Sequence, residues 1–126
     1  MLWMGIGRPA MQITFIFVHR FFYGIYLLLP VLVVLTALVI ALGQVVGRIE
    51  KWGWFNALYW SLITALTVGY GDIRPSTHRT KMLSAVIALI GIMFTGVIVA
   101  ITVAAATKAL TSVIDVGAVV STQVSK

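Results

Sequence analysis

The chain has no cysteine, only three acidic residues and only two histidines in 126 positions. Without cysteine there is no disulfide to brace a small fold and no thiolate to hold a metal. Three carboxylates and two imidazoles are little material for an acid–base pair or a metal cluster, so neither an enzyme nor a bound cofactor is expected. His19 and His78 read as surface groups rather than ligands. Charged residues of both signs make up 10% of the chain. The nine Lys and Arg give a net +6, yet they stand singly, without the aromatic interleaving or the basic helix face that would grip nucleic acid.

What is present in quantity is apolar surface. Hydrophobic residues make up 61% of the sequence, too many for an ordinary water-soluble domain. Phe21 to Gly47 and Met82 to Thr107 contain no charged residue. Each is longer than the ~20 residues a helix needs to cross a bilayer core. A third apolar run, Trp52 to Ile73, would count as another span by hydropathy alone. It carries Asn56, Ser61, Thr64 and Thr67 and ends in a glycine-rich hexapeptide. Non-helical backbone survives at membrane depth only when buried in protein or facing water, so this run is expected to dip in and return on the same side. The chain reads as an all-α membrane protein: two transmembrane helices with a re-entrant helix and loop between them. In that setting anionic lipid headgroups are the natural counterpart of the scattered basic residues.

Three segments follow. Residues 1–20 carry Pro9, where a helix can start, and end at His19 and Arg20. They suggest a helix lying in the membrane interface, with a disordered lead as the alternative. Residues 21–112 hold the spans: an outer helix from about Phe22 to Val46 with Pro30 able to kink it, a short exposed turn at Arg48, Glu50 and Lys51, a pore-facing helix from Trp54 to Leu66, and an inner helix from Arg79 to Leu110. Ser76 or Thr77 is placed to cap that inner helix. Residues 113–126 lose the apolar pattern and suggest a mobile tail. No internal repeat is visible.

The most specific feature is Thr67-Val68-Gly69-Tyr70-Gly71-Asp72. Carbonyls of successive residues can turn to one axis only if the backbone visits conformations that glycine opens, which accounts for Gly69 and Gly71 on either side of Tyr70. A surface turn is the plain alternative, but it leaves the two flanking spans unexplained. Nor is this a dinucleotide fingerprint, because Arg74 stands where a third glycine is required. The hexapeptide and its flanks resemble the selectivity filter and pore module of two-transmembrane potassium channels, closely from Trp54 to about Lys108 and more loosely along the outer helix.

That resemblance implies a homotetramer in which Thr67, Val68, Gly69 and Tyr70 supply oxygens to dehydrated K+ while Gly71 shapes the outer mouth. K+ is then the permeant ion, with no small-molecule substrate. Tyr59 and Trp60 occupy positions where the family braces its filter from behind, Trp60 towards Tyr70 of a neighbouring chain, and Asp72 closes the motif. Trp52, Trp54 and Trp3 read as packing or interfacial aromatics. Gly91 and Gly96 fall where the family carries gating glycines; close helix packing explains them as well. Ile92, Thr95, Val99 and Thr102 follow helical spacing and are candidates to line the cavity, with Val103 to Ala106 below as an apolar constriction. Arg74 takes an outer-mouth position where some relatives place an aromatic ring.

Two departures stand out. Many members carry a glutamate four residues before the filter threonine, where this chain has Ile63. No spaced arginines precede the outer helix, so no voltage sensor is expected. The family's orientation puts both termini in the cytoplasm of what suggests a prokaryotic plasma membrane. It leaves Arg48, Lys51, Arg74, Arg79 and Lys81 outside against Arg8, Arg20, Lys108 and Lys126 inside, contrary to the positive-inside rule. A weakly selective cation channel and a non-conducting accessory subunit remain as alternatives.

Overall fold

The structure is a computed structural model; it describes residues 3–125, with side chains described from Ala10 onward. Three helices follow in order: α1 (Trp3–Ile49), α2 (Trp54–Ala65) and α3 (His78–Val124). No strand occurs among the described residues. Both α1 and α3 are long and apolar enough to cross a membrane, and only 11% and 17% of their most apolar stretches are buried within the chain. A helix at the centre of a soluble protein would be covered by its own fold; these present their apolar surface outward, as a membrane protein does.

Two boundaries differ from the sequence reading. No break separates residues 1–20 from the outer helix, since α1 is continuous from Trp3 and passes through Pro30. The segment expected to lie in the interface is thus helically continuous with the span. At the other end α3 runs on past Leu110 to Val124, through the segment expected to be a mobile tail. That stretch contains no proline and a single glycine, Gly117, and its hydroxyls fold back on the helix: Thr111 donates to Thr107 O at 2.8 Å and Thr122 to Ala118 O at 3.0 Å. Losing the apolar stripe removes a packing face without removing the backbone ladder.

The chain divides into two compact units, one formed by residues up to Leu28 with those from Ile98 onward, the other by Leu29–Val97. In the first, Ile101, Ala105 and Ala109 form a buried stripe on α3 at a spacing of four. Small residues there let a second helix approach, and Gly24 of α1 meets Ile101 so closely that a Cβ would lie 2.7 Å from its Cγ2.

The second unit holds the main core. Val39, Val46, Trp60, Ala65 and Ile87 are buried together, with Leu42, Trp52, Ile73, Leu83 and Ile90 packed against them. Trp52 meets Trp60 edge-on, with ring centroids 5.3 Å apart. The short helix α2 is clamped between the two long ones by glycines. Gly43 and Gly47 of α1 face Ser61 and Ala57 of α2, and Gly91 of α3 lies against the Ala65 backbone; a Cβ at any of the three would overlap these atoms. Glycine four residues from glycine, set against alanine four residues from serine, is the small-residue contact by which membrane helices come together.

These contacts separate the two glycines of the inner helix. Gly91 is buried, whereas a Cβ at Gly96 meets nothing within 4 Å. Gly91→Ala should destabilise the fold by roughly 1–3 kcal/mol through forced backbone shifts. Gly96→Ala should be neutral or gain about 0.5–1 kcal/mol from a stiffer helix. Thermal unfolding of both variants in detergent measures the difference; equal midpoints would show that α2 does not seat on Gly91.

Candidate functional site: the pore helix and the filter loop

Helix α2 begins after Gly53, which has no side chain to cap it but whose carbonyl accepts from Ala57 N at 3.1 Å, and gives way at Leu66 to the loop expected to form the filter. Its last carbonyls are not left open. Leu62 O accepts from Leu66 N at 2.9 Å, Thr64 O from Thr67 N at 3.1 Å, and Ile63 O from both Val68 N at 2.9 Å and Gly69 N at 3.2 Å. The Ile63 side chain replaces the family's acid with a group that cannot hydrogen-bond, but its backbone oxygen fixes the first amides of the loop.

Beyond that anchor the backbone alternates. Thr67, Gly69 and Gly71 have positive φ of 58°, 54° and 78°, and the residues between them do not. Successive residues of opposite handedness turn successive peptide groups the same way, the arrangement a ring of carbonyls requires. Glycine adopts these angles at no steric cost. Thr67 does not, and its hydroxyl donates to Leu66 O at 2.7 Å as part of the compensation. In the isolated chain the loop is uncovered: Leu66, Val68 and Tyr70 are 54%, 49% and 72% exposed.

Residues 26–108 match the ion channel family, a stretch that runs from the outer helix through the filter loop to Lys108. The chain belongs to that family. Over 70 residues it is 33% identical to TWiK family of potassium channels protein 7 of Caenorhabditis elegans, covering 56% of this chain and 12% of the relative. Over 39 residues it is 51% identical to two-pore potassium channel 4 of Arabidopsis thaliana, covering 31% and 14%. Over 65 residues it is 35% identical to probable potassium channel protein 2 of Methanocaldococcus jannaschii, covering 52% and 19%. The chain therefore spans less than a fifth of the length of each of these relatives. No solved structure gives a match.

The far end of the loop brings three candidate residues together. Arg74 donates from Nε to Gly71 O at 2.8 Å, laying its guanidinium over the last glycine of the motif. Tyr59 is held above the usual phenol range, first by desolvation and then by the charge of the nearby Asp72 carboxylate. Trp60 sits in the core of its own chain, 3% exposed. On α3, Ile92, Thr95 and Val99 are exposed. Thr102 is half-buried, and its hydroxyl is returned to Ile98 O at 2.9 Å rather than presented outward.

Sequence reasoning passed over Glu50, counted only as a charge on the exposed turn. Its carboxylate accepts from Ser76 N at 2.8 Å, Ser76 Oγ at 2.6 Å, Thr77 N at 3.1 Å and Thr80 Oγ1 at 2.5 Å. Two of those donors are amides at the start of α3, where an anion also complements the helix dipole. Thr77 caps the same helix, its Oγ1 facing Thr80 N at 3.4 Å and Thr80 Oγ1 at 2.7 Å. The signal was a lone acid 26 residues before a Ser-Thr pair, too distant for any local motif. The turn beside Glu50 closes α1: Trp52 N bonds Gly47 O at 2.8 Å and Lys51 N bonds Arg48 O at 3.4 Å, with Lys51 at a positive φ of 59° where glycine is usual.

These donors hold the Glu50 carboxyl down at about 2, against 4.5 when free, with the Ser76 hydroxyl the largest cause and the Thr80 hydroxyl next. A depressed carboxyl stabilises the fold in full above its free value and loses that contribution as pH falls towards the folded one. The melting midpoint should therefore drop as pH is lowered from about 4.5 to about 2. Glu50→Gln should lower the midpoint at neutral pH and flatten this slope; an unchanged slope would show that Glu50 is not the titrating group.

Proposed function

We propose that this chain is the pore-forming part of a potassium-selective channel, assembled from four copies around the Thr67–Gly71 loop and conducting K+ passively down its electrochemical gradient. The observation that carries this reading is the alternating backbone of residues 67–71, anchored on Ile63 O, in a chain of the ion channel family whose relatives bear potassium in their names. One loop encloses nothing by itself. A ring of carbonyls needs cyclic symmetry, and the uncovered Leu66, Val68 and Tyr70 side chains are the surface that neighbouring copies would bury. Tyr59 with Asp72 would hold the outer end of the filter, whereas Trp60, buried in the core of its own chain against Val39, Val46 and Trp52, is not free to reach Tyr70 of the next chain and would brace α2 from within.

Below the filter, Ile92, Thr95 and Val99 would line a water-filled cavity, with Thr102 at its lower margin. Of the two candidate hinges, Gly96 is the freer, because Gly91 is committed to Ala65. Both termini would lie in the cytoplasm and the filter's Asp72 end outside. Nothing in this reading calls for a cofactor, an enzymatic activity or a nucleic-acid partner.

Two recordings in planar bilayers test it. Replacing Gly69, at φ +54°, by alanine puts a Cβ on left-handed backbone. Gly69→Ala should abolish conduction or the preference for K+ over Na+ while leaving assembly intact. An unchanged permeability ratio would remove the filter assignment, and absence of current from the native protein would favour an accessory subunit.

The second concerns the mouth. Five basic residues and two acids lie on the proposed outer surface, and Arg74 sits on the Gly71 carbonyl. External tetraethylammonium should block poorly, and inward conductance in dilute K+ should be low, both effects weakening as the screening length shortens to ~8 Å at physiological salt. Arg74→Tyr should raise blocker affinity through cation–π attraction and raise dilute-salt conductance together. Block of the native channel at low external concentration would mean that Arg74 does not face the entrance.

A further inference from the structure

Gly71 is the last of the positive-φ residues, at 78°, and its carbonyl closes the alternating run. Arg74 already holds that oxygen, donating from Nε at 2.8 Å. The guanidinium lies along the face that glycine leaves bare. A Cβ at Gly71 would stand 3.5 Å from Nη2, 3.6 Å from Nε and 3.9 Å from Cζ. Among the described residues no donor holds the carbonyls of Thr67 to Tyr70 in this way. The outermost oxygen of the run is therefore set apart from the four behind it.

The stem of the arginine is fixed as well. Pro75 restricts Arg74 to extended backbone, and the Glu50 carboxylate accepts from Ser76 N at 2.8 Å and Thr77 N at 3.1 Å. Arg74 is exposed, and an exposed hydrogen bond gains little over water by itself. Here the backbone on both sides is already ordered, which lowers the cost of making it. A guanidinium is always charged and cannot step aside by losing its proton. K+ brought to the Gly71 oxygen would meet a like charge across a single atom, so the two cations exclude each other there.

We propose that Arg74 is a tethered cation that occupies the outermost carbonyl of the filter and competes with external K+ for it, so that access from outside requires its release. The proposal rests on the potassium-channel reading above and adds a ligand class to it: the Gly71 carbonyl takes a guanidinium, tethered or free. This contact differs from the general positive field of the outer surface in two ways. It needs the Nε donor, where lysine would place a methylene, and it outlasts salt that shortens the screening length to ~3 Å at 1 M.

The test is the external K+ concentration that half-saturates inward single-channel current in planar bilayers, with ionic strength held at about 1 M by N-methylglucamine chloride so that the field is screened. Arg74→Lys keeps the charge and loses the Nε donor. It should lower the half-saturating concentration about fivefold, the factor expected for one hydrogen bond, and Arg74→Gly should do the same. Millimolar guanidinium added outside should return Arg74→Gly to the native value and leave the native protein unchanged, because its carbonyl is already taken. Arg79→Gln should have no effect under screening. A lysine variant that matches the native protein, or guanidinium that acts equally on native and Arg74→Gly, would overturn the proposal. A second readout needs no current. In the full chain labelled with 15N-arginine and held in bilayers, the Arg74 Nε–H signal, identified by its loss in Arg74→Lys, should exchange slowly with water in N-methylglucamine and rapidly once K+ replaces it. Slow exchange in both solutions, or rapid exchange in both, would overturn it too. A native protein without current removes the channel reading and this proposal with it; a K+-selective native current beside a K+-insensitive Arg74 signal removes this proposal alone.

Discussion

The Val68 and Gly69 amides converge on a single acceptor, the Ile63 carbonyl, and the remainder of the loop depends on that meeting. Backbone that leaves a helix inside a membrane loses both its internal partners and the water that would replace them, and each group left bare costs several kcal/mol, on the order of a hydrogen bond in hydrocarbon. One oxygen has two lone pairs and can serve both amides. With those N–H groups held by α2, the carbonyls of Thr67 to Tyr70 are released from duty within the chain, while Gly71 O takes the Arg74 guanidinium. Release is the condition for offering them to something else.

Such an anchor is only as steady as α2, a helix of 12 residues. A helix that short is marginal by itself. What holds it is proximity: Gly43 and Gly47 on one side and Gly91 on the other remove the side chains that would keep its neighbours at ordinary distance. In hydrocarbon the hydrophobic effect gives little reason for helices to associate, so close van der Waals contact takes over that task. Trp60, buried among Val39, Val46 and Ile87, fills the remaining space. The geometry of the loop is thus set by residues that lie outside it.

The spans, the re-entrant helix and the loop were legible because each writes its physics locally: charge-free length, polar residues inside an apolar run, glycines two apart. The Gly43–Gly47 spacing was equally visible, and passed unread because a single helix sequence does not say which of its faces meets a partner. Ile63 was judged by its side chain, whereas its backbone does the bonding, and a backbone acceptor leaves no trace in residue type. The Glu50 contacts bridge 26 to 30 positions, beyond the reach of any periodicity. Where the helices end was misjudged at residues 20 and 110, because apolar patterning reports what a helix packs against and not how far its hydrogen-bond ladder extends.

The Glu50 network also has a mechanical side. One carboxylate at the end of α1 holds Ser76, Thr77 and Thr80 at the head of α3, so the end of one long helix and the start of the other are riveted at a single point. The loop carrying Gly71 and Arg74 ends at the same rivet, so it is closed at its start by Ile63 O and at its finish by the Glu50 carboxylate.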